Sequence, residues 1–99
     1  SGQAQLCVGD AGSGIPMHFH MHAINVLLTG RKHWRMVPPA ESGVSLLHPA
    51  DRRSEDEWDT PGSREADQEA GDVLYVPDLW SHEVLNLSDF TVGVAVLLD

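Results

Sequence analysis

The chain has 99 residues, 41% of them apolar and 21% charged, and its 15 acidic against 6 basic side chains give a net charge of −9. A chain of this length buries roughly 60–65% of its unfolded surface around one small core, and the apolar share is too high for disorder. No apolar run approaches the ~20 residues of a membrane span, no leader pattern opens the chain, and an acidic protein lacks the basic surface that nucleic-acid binding needs.

Taken in chain order, Gln3–Val8 has the residues of a first short strand, and 10–16 (DAGSGIP) reads as a turn. Met17–His22 alternates with period two, Ile24–Thr29 is an apolar strand, and Gly30–Arg31 is a tight turn into Lys32–Val37. Pro38 and Pro39 end that strand, since proline donates nothing to a ladder. Val44–Leu47 has the length of a short edge strand. Residues 51–72 hold nine acidic and three basic side chains, so most of the net charge sits there. With Pro61, Gly62, Gly71 and no clean apolar period, the stretch from about 49 to 70 is expected to be a long solvated loop. Asp72–Val76, Glu83–Leu87 and Thr91–Leu98 then read as strands. Seven or eight short strands with Gly and Pro turns predict an all-β sandwich or small barrel. The chain starts at Ser1 and enters a strand almost at once, which is the expectation for a segment of a longer protein. Cys7, the one cysteine, forms no internal disulfide and leaves the compartment open.

The six histidines are the second anomaly of composition, and three of them lie in Met17-His18-Phe19-His20-Met21-His22. Successive strand side chains alternate between faces, so His18, His20 and His22 would share one face and Met17, Phe19 and Met21 the other. Imidazoles two positions apart are about 7 Å from each other, whereas His18 and His22 would be about 13 Å apart. His18 and His20 are therefore the better metal pair, with His22 in a supporting role. The alternative is that these rings are merely hydrogen-bonded or exposed. A third ligand has to come from elsewhere. His82 follows the turn Pro77-Asp78-Leu79-Trp80 and opens a late strand that would meet the early one across a barrel interior. Three facial ligands leave positions open for substrate and dioxygen. His33 and His48 carry no such signal.

Gly12–Pro39 (GSGIPMHFHMHAINVLLTGRKHWRMVPP) and Glu69–Leu87 (EAGDVLYVPDLWSHEVLNL) resemble the JmjC family of the cupin superfamily, in particular its small hydroxylase-like branch. The likeness rests on the glycine turn before His18, the G-R-K-x-W hairpin ending in Pro-Pro, the G-D-V-L-Y-V-P strand and W-x-H-x-V-x-N-L, and covers about half of the chain. It implies a double-stranded β-helix (cupin or jelly-roll) that holds Fe(II) and 2-oxoglutarate. His18 and His82 then match the first and distal ligands, Lys32 the lysine that meets the far carboxylate of 2-oxoglutarate, and Asn25 a polar position of the cosubstrate pocket. His20 falls where the family has a carboxylate, Ile15 replaces a hydroxyl residue, and 92–97 (VGVAVL) is apolar where a cosubstrate contact is expected. Two readings follow from the resemblance. One is an Fe(II)/2-oxoglutarate dioxygenase hydroxylating a protein side chain; the other is a non-catalytic scaffold or interaction protein, a subunit of a larger assembly, with a residual metal site. Both imply a protein as substrate or partner.

Overall fold

The computed structural model describes residues 3–41, 43–45, 48–51 and 60–98. Eight strands build it: β1 (Gln3–Gly9), β2 (Gly14–His18), β3 (Ala23–Thr29), β4 (Arg31–Val37), β5 (Arg64–Glu69), β6 (Val73–Val76), β7 (Ser81–Asn86) and β8 (Thr91–Leu97). They form two four-stranded antiparallel sheets, sheet I in the order β1-β8-β3-β6 and sheet II in the order β2-β7-β4-β5. The expected all-β class holds, and the architecture is the double-stranded β-helix of cupins. Among the described residues no helix is long and apolar enough to cross a membrane.

Alternation along the strands decides what faces the space between the sheets. In sheet II, Lys32 and Trp34 of β4 are register partners of Asn86 and Val84 of β7, and Met36 is that of His82. In sheet I, Ala23, Asn25 and Leu27 of β3 are buried in the same alternation. The interior is strongly polar for so small a domain: Asn25, Lys32, Gln68, His82 and Asn86 are all buried. A smaller apolar cluster of Met17 and Val37 forms apart from the Trp34–Val76–Val84 cluster. The segment after β4 is tied down close by, through Ser45 N–H to the Met17 carbonyl (3.0 Å) and the Ser81 hydroxyl to the Gly43 carbonyl (2.8 Å).

The turns follow backbone sterics. Gly30 joins β3 to β4 and Gly71 joins β5 to β6, at φ of 92° and 94°, a left-handed region that only glycine enters cheaply. Leu79 also sits there, at φ 64°, in the turn between β6 and β7. For a residue with a Cβ this costs of order 1–2 kcal/mol, and its amide gains a bond to the His20 carbonyl (3.1 Å).

Three expectations from the sequence change. Strand pairing in the Met17–His22 stretch ends at His18, because the β2–β7 register already shifts between Ile15 and His18 and the chain then bends toward the Leu79 turn. The acidic loop is shorter than its composition suggests: Arg64–Glu69 pairs with β4 along its whole length, with Glu65, Asp67 and Glu69 on one face and Ala66 and the buried Gln68 on the other. Val44 and Ser45 are not in a strand, and Leu46, Leu47 and 52–59 lie outside the described residues.

Gln68 shows what the shorter loop adds. Fully buried, its side-chain carbonyl accepts from Trp34 Nε1–H (2.8 Å), while its amide donates to the Asn25 carbonyl (3.0 Å) in sheet I and to that of Asp72 (3.2 Å). It therefore cross-links the two sheets. Replacing it by leucine keeps the bulk but strands the indole N–H and two carbonyls, and is expected to lower stability by about 2–3 kcal/mol. Urea unfolding is the check: the midpoint should fall with the slope unchanged.

Candidate metal centre

β2 and β7 bring His18 directly opposite His82 as register partners. His20 reaches the same place from the bend beyond β2, held by the Leu79–His20 backbone bond. Ring centroids are 4.2 Å apart for His18–His82, 4.6 Å for His20–His82 and 5.3 Å for His18–His20. One ring nitrogen from each lies within 4.8 Å of the other two, which makes them a set able to hold a metal ion.

Each ring is aimed in the same way. His18 Nδ1 meets the Pro16 carbonyl (2.8 Å), His82 Nδ1 meets that of Trp80 (3.2 Å), and His20 Nδ1 meets that of Met21. A carbonyl only accepts, so these contacts place the proton on Nδ1 and leave the Nε2 lone pair free. Hydrogen bonds to the far nitrogen are the usual device that orients metal-bound histidines. The Trp34 ring, 5.9 Å from His82 between centroids, packs behind it.

Burial keeps the His18 and His82 rings neutral. Desolvation, reinforced by the neighbouring His18 and His20, outweighs the Trp80 hydrogen bond and lowers the His82 pKa to about 3. His18 is also lowered, by burial first and the charge of His20 after it, against the opposing bond to Pro16. At neutral pH both are uncharged.

The three histidines line a cavity of about 140 Å³ between the sheets, together with Asn25, Lys32, Trp34 and Cys7. Among the described residues, no aspartate or glutamate lines it. Lys32 is 5% exposed, and its side chain has no hydrogen-bond or ion-pair partner among the described residues. Burial lowers its pKa, against a small opposing influence of Cys7. Asn25 carries a buried side-chain oxygen without a hydrogen-bond partner. Ile15, Ala95 and Leu97 supply apolar wall, and Lys32, Cys7 and Asn86 also line a second opening between β1 and β2.

The other histidines are elsewhere. His22 Nδ1 bonds the Tyr75 hydroxyl (2.9 Å), and His48 Nδ1 accepts from Ala50 N–H (3.0 Å). His33, on the outer face of sheet II, bridges Asp67 (2.7 Å) and Glu65 (3.0 Å). Sequence reasoning missed Gln5, Cys7 and Trp34 as cavity lining. Period two along β1 would have placed the first two on one face, but nothing in the sequence says which face is inward.

The chain matches the JmjC domain family over residues 2–97. It belongs to that family. Human JmjC domain-containing protein 8 is 36% identical over 100 residues, covering 92% of this chain and 36% of the human protein. The human 2-oxoglutarate and iron-dependent oxygenase JMJD4 is 36% identical over 97 residues, covering 82% of this chain and 23% of its own length. This JmjC chain thus spans about a third of the length of the first curated relatives it matches. Among solved structures, YcfD, a ribosomal oxygenase from Escherichia coli, superposes with a TM-score of 0.69 at 18% identity, over 98% of this chain and 23% of that one. At that identity the likeness is one of fold.

His33 yields a pH prediction. Burial opposes its protonation, but the hydrogen bonds of Asp67 and Glu65 and their charges outweigh it and raise the pKa above 6.5. A raised pKa stabilises the fold below the unfolded value and ceases to do so as pH rises through the folded one. Glu65, lowered by its bond to His33 and by Arg35 despite some burial, adds stability that disappears only in acid, below 4.5. Thermal melts of the wild type and H33Q should therefore differ most between these limits and converge in mild alkali.

Proposed function

We propose that this JmjC domain holds a divalent metal ion through His18, His20 and His82, and that its activity is Fe(II)- and 2-oxoglutarate-dependent oxygenation of a protein side chain. The observation that carries this reading is the common aim of the three rings: each Nδ1 is engaged by a backbone carbonyl, and the three free lone pairs face one cavity. Neutral imidazoles suit iron as well as zinc, nickel or copper. The cavity fits the cosubstrate too, because Lys32 is buried there without a counter-ion and a buried ammonium is costly without an anion.

Iron and 2-oxoglutarate together would supply dioxygen activation, the chemistry that no side chain provides. The chain's own residues bind and orient. Lys32 would meet the far carboxylate of the dicarboxylate by a charge-assisted bond. Asn25, with an unsatisfied oxygen at the same cavity, would accept from a donor on the bound ligand or its water. Ile15, Val84 and Leu97 give the cavity an apolar wall. A protein as substrate agrees with the demethylase and oxygenase names carried by relatives.

The second reading, a scaffold with a residual metal site, draws on one feature: no carboxylate lines the cavity, and His20 stands where the family resemblance places one. Anaerobic calorimetric titration separates the two. Fe(II) should bind at one ion per chain, H82A should abolish binding, and K32M should retain the metal while losing at least tenfold in 2-oxoglutarate affinity. Succinate formed under air supports the oxygenase. Metal binding with neither a 2-oxoglutarate effect nor succinate supports the scaffold, and absence of metal binding overturns both.

A further inference from the structure

Two hollows share Cys7 and Lys32. One is the cavity of about 140 Å³ that the three histidines line, and the other, of about 300 Å³, lies between β1 and β2. A single water needs only about 10–15 Å³, so each has room for a small organic acid. The second hollow exists because β1 and β2 are edge strands of different sheets: β1 pairs with β8, β2 pairs with β7, and among the described residues no ladder joins them. Cys7 is half-buried at this seam, and its thiol makes only a long contact to the Gln5 carbonyl (3.8 Å). A Cβ on its register partner Gly93 would stand 3.7 Å from Asn25 Oδ1. The missing side chain, with Ala95 two residues on, keeps space open between the thiol and Asn25.

Two polar groups of the second hollow lack partners. The Lys32 side chain is buried without a hydrogen bond or ion pair among the described residues. Asn86 Oδ1 is buried and unbonded as well, although the same amide donates to Ser13 Oγ (2.8 Å). Leaving such groups unmatched is costly, so the hollow is built to receive a polar ligand. The ammonium sets its sign as an anion.

We propose that Cys7 is a covalent modification site for small unsaturated dicarboxylates, which Lys32 seats by one carboxylate so that the thiol adds to the carbon–carbon double bond. The step is a conjugate addition. The sulfur electron pair forms a bond to one alkene carbon, the π pair shifts to the other, and that carbon takes up the proton the thiol gives up. Nothing leaves, no oxidant or other co-reactant is needed, and the product is a thioether that carries both carboxylates. A thiol needs only a small thiolate fraction to add at neutral pH, and holding the electrophile against it replaces an encounter by a first-order step. A partly exposed cysteine beside a lysine is a setting in which thiols react. The adduct fills the space in front of Lys32 and closes it to other dicarboxylates. The inference rests on the part of the proposed reading that seats an anion at Lys32, and not on the metal or on oxygenation.

Intact-mass spectrometry after incubation with fumarate, or with its neutral diamide for comparison, tests it. The wild-type chain should gain one fumarate, mapped by peptide digestion to Cys7, and C7S should gain none. Each rate is divided by that of the same chain unfolded in urea, so that the intrinsic reactivities of the two alkenes cancel. On that scale the folded chain should favour fumarate over the diamide by roughly tenfold or more, the pull of one buried charge. K32M should lose the preference while still reacting with the diamide, and K32R, which keeps the charge, should retain it. If K32M does not fold, the wild-type preference decides alone. A wild type that takes up no fumarate, takes it up elsewhere than Cys7, or shows no preference for the dianion overturns the proposal, as does a preference that survives in folded K32M. Excess 2-oxoglutarate should slow the labelling. Charge-guided labelling of Cys7 that 2-oxoglutarate does not slow upholds the proposal and counts against the cosubstrate reading.

Discussion

Taking an ammonium group and imidazole rings out of water, with no carboxylate facing them among the described residues, is the constraint on which the rest of this domain depends. Burying a charge in a low-dielectric interior costs several kcal/mol unless it is neutralised or paired. The rings meet that constraint by shedding the proton, which is why burial lowers both His18 and His82. Each then needs an acceptor for its remaining N–H, and the backbone carbonyls of Pro16 and Trp80 serve. Lys32 lacks an equivalent solution among the described residues, and its side chain is left facing the cavity.

The fold's local irregularities are where that constraint is met. The strained left-handed Leu79 gives up of order 1–2 kcal/mol and in return ties the β6–β7 turn to the His20 carbonyl. The same turn carries the Trp80 carbonyl that fixes the His82 tautomer. Strain beside a candidate site fits the common pattern in which the surrounding structure holds an unfavourable conformation for positional gain. Gln68 does the corresponding work from the other side: by bonding Trp34 Nε1 it fixes the indole that packs behind His82, and by bonding the Asn25 carbonyl it joins the sheets.

Much of this was legible in the sequence, for reasons that differ residue by residue. The strand count and the hairpin at Gly30 follow from period-two alternation and from the backbone freedom of glycine. His18, His20 and His82 do meet in space, yet one of them does so by a route that alternation misjudges: His20 lies in the bend beyond the strand. β5 was hidden because its outward residues are charged and its inward ones are Ala66 and Gln68, so no apolar stripe marks it. Side-chain polarity predicts exposure well until a buried glutamine satisfies its bonds.

His20 stands where the family resemblance places a carboxylate, and under the proposed reading that difference has an electrostatic consequence. With a carboxylate in the ligand set, a bound divalent ion retains a net charge of about +1; with three neutral imidazoles it retains about +2. Under the proposed reading Lys32 adds a further positive charge to the same cavity, whose lining offers no compensating aspartate or glutamate. Attraction between unit charges at 4 Å is about 4 kcal/mol at an effective dielectric of 20, so the missing carboxylate strengthens the hold on an incoming dianion by an amount of that order before desolvation is counted. The same change withdraws electron density from the ion and favours its reduced form. Under the proposed reading, histidine at position 20 would move anion capture and oxygen activation in opposite directions, and the balance between them would separate an oxygenase from a domain that holds a metal and a ligand without turning over.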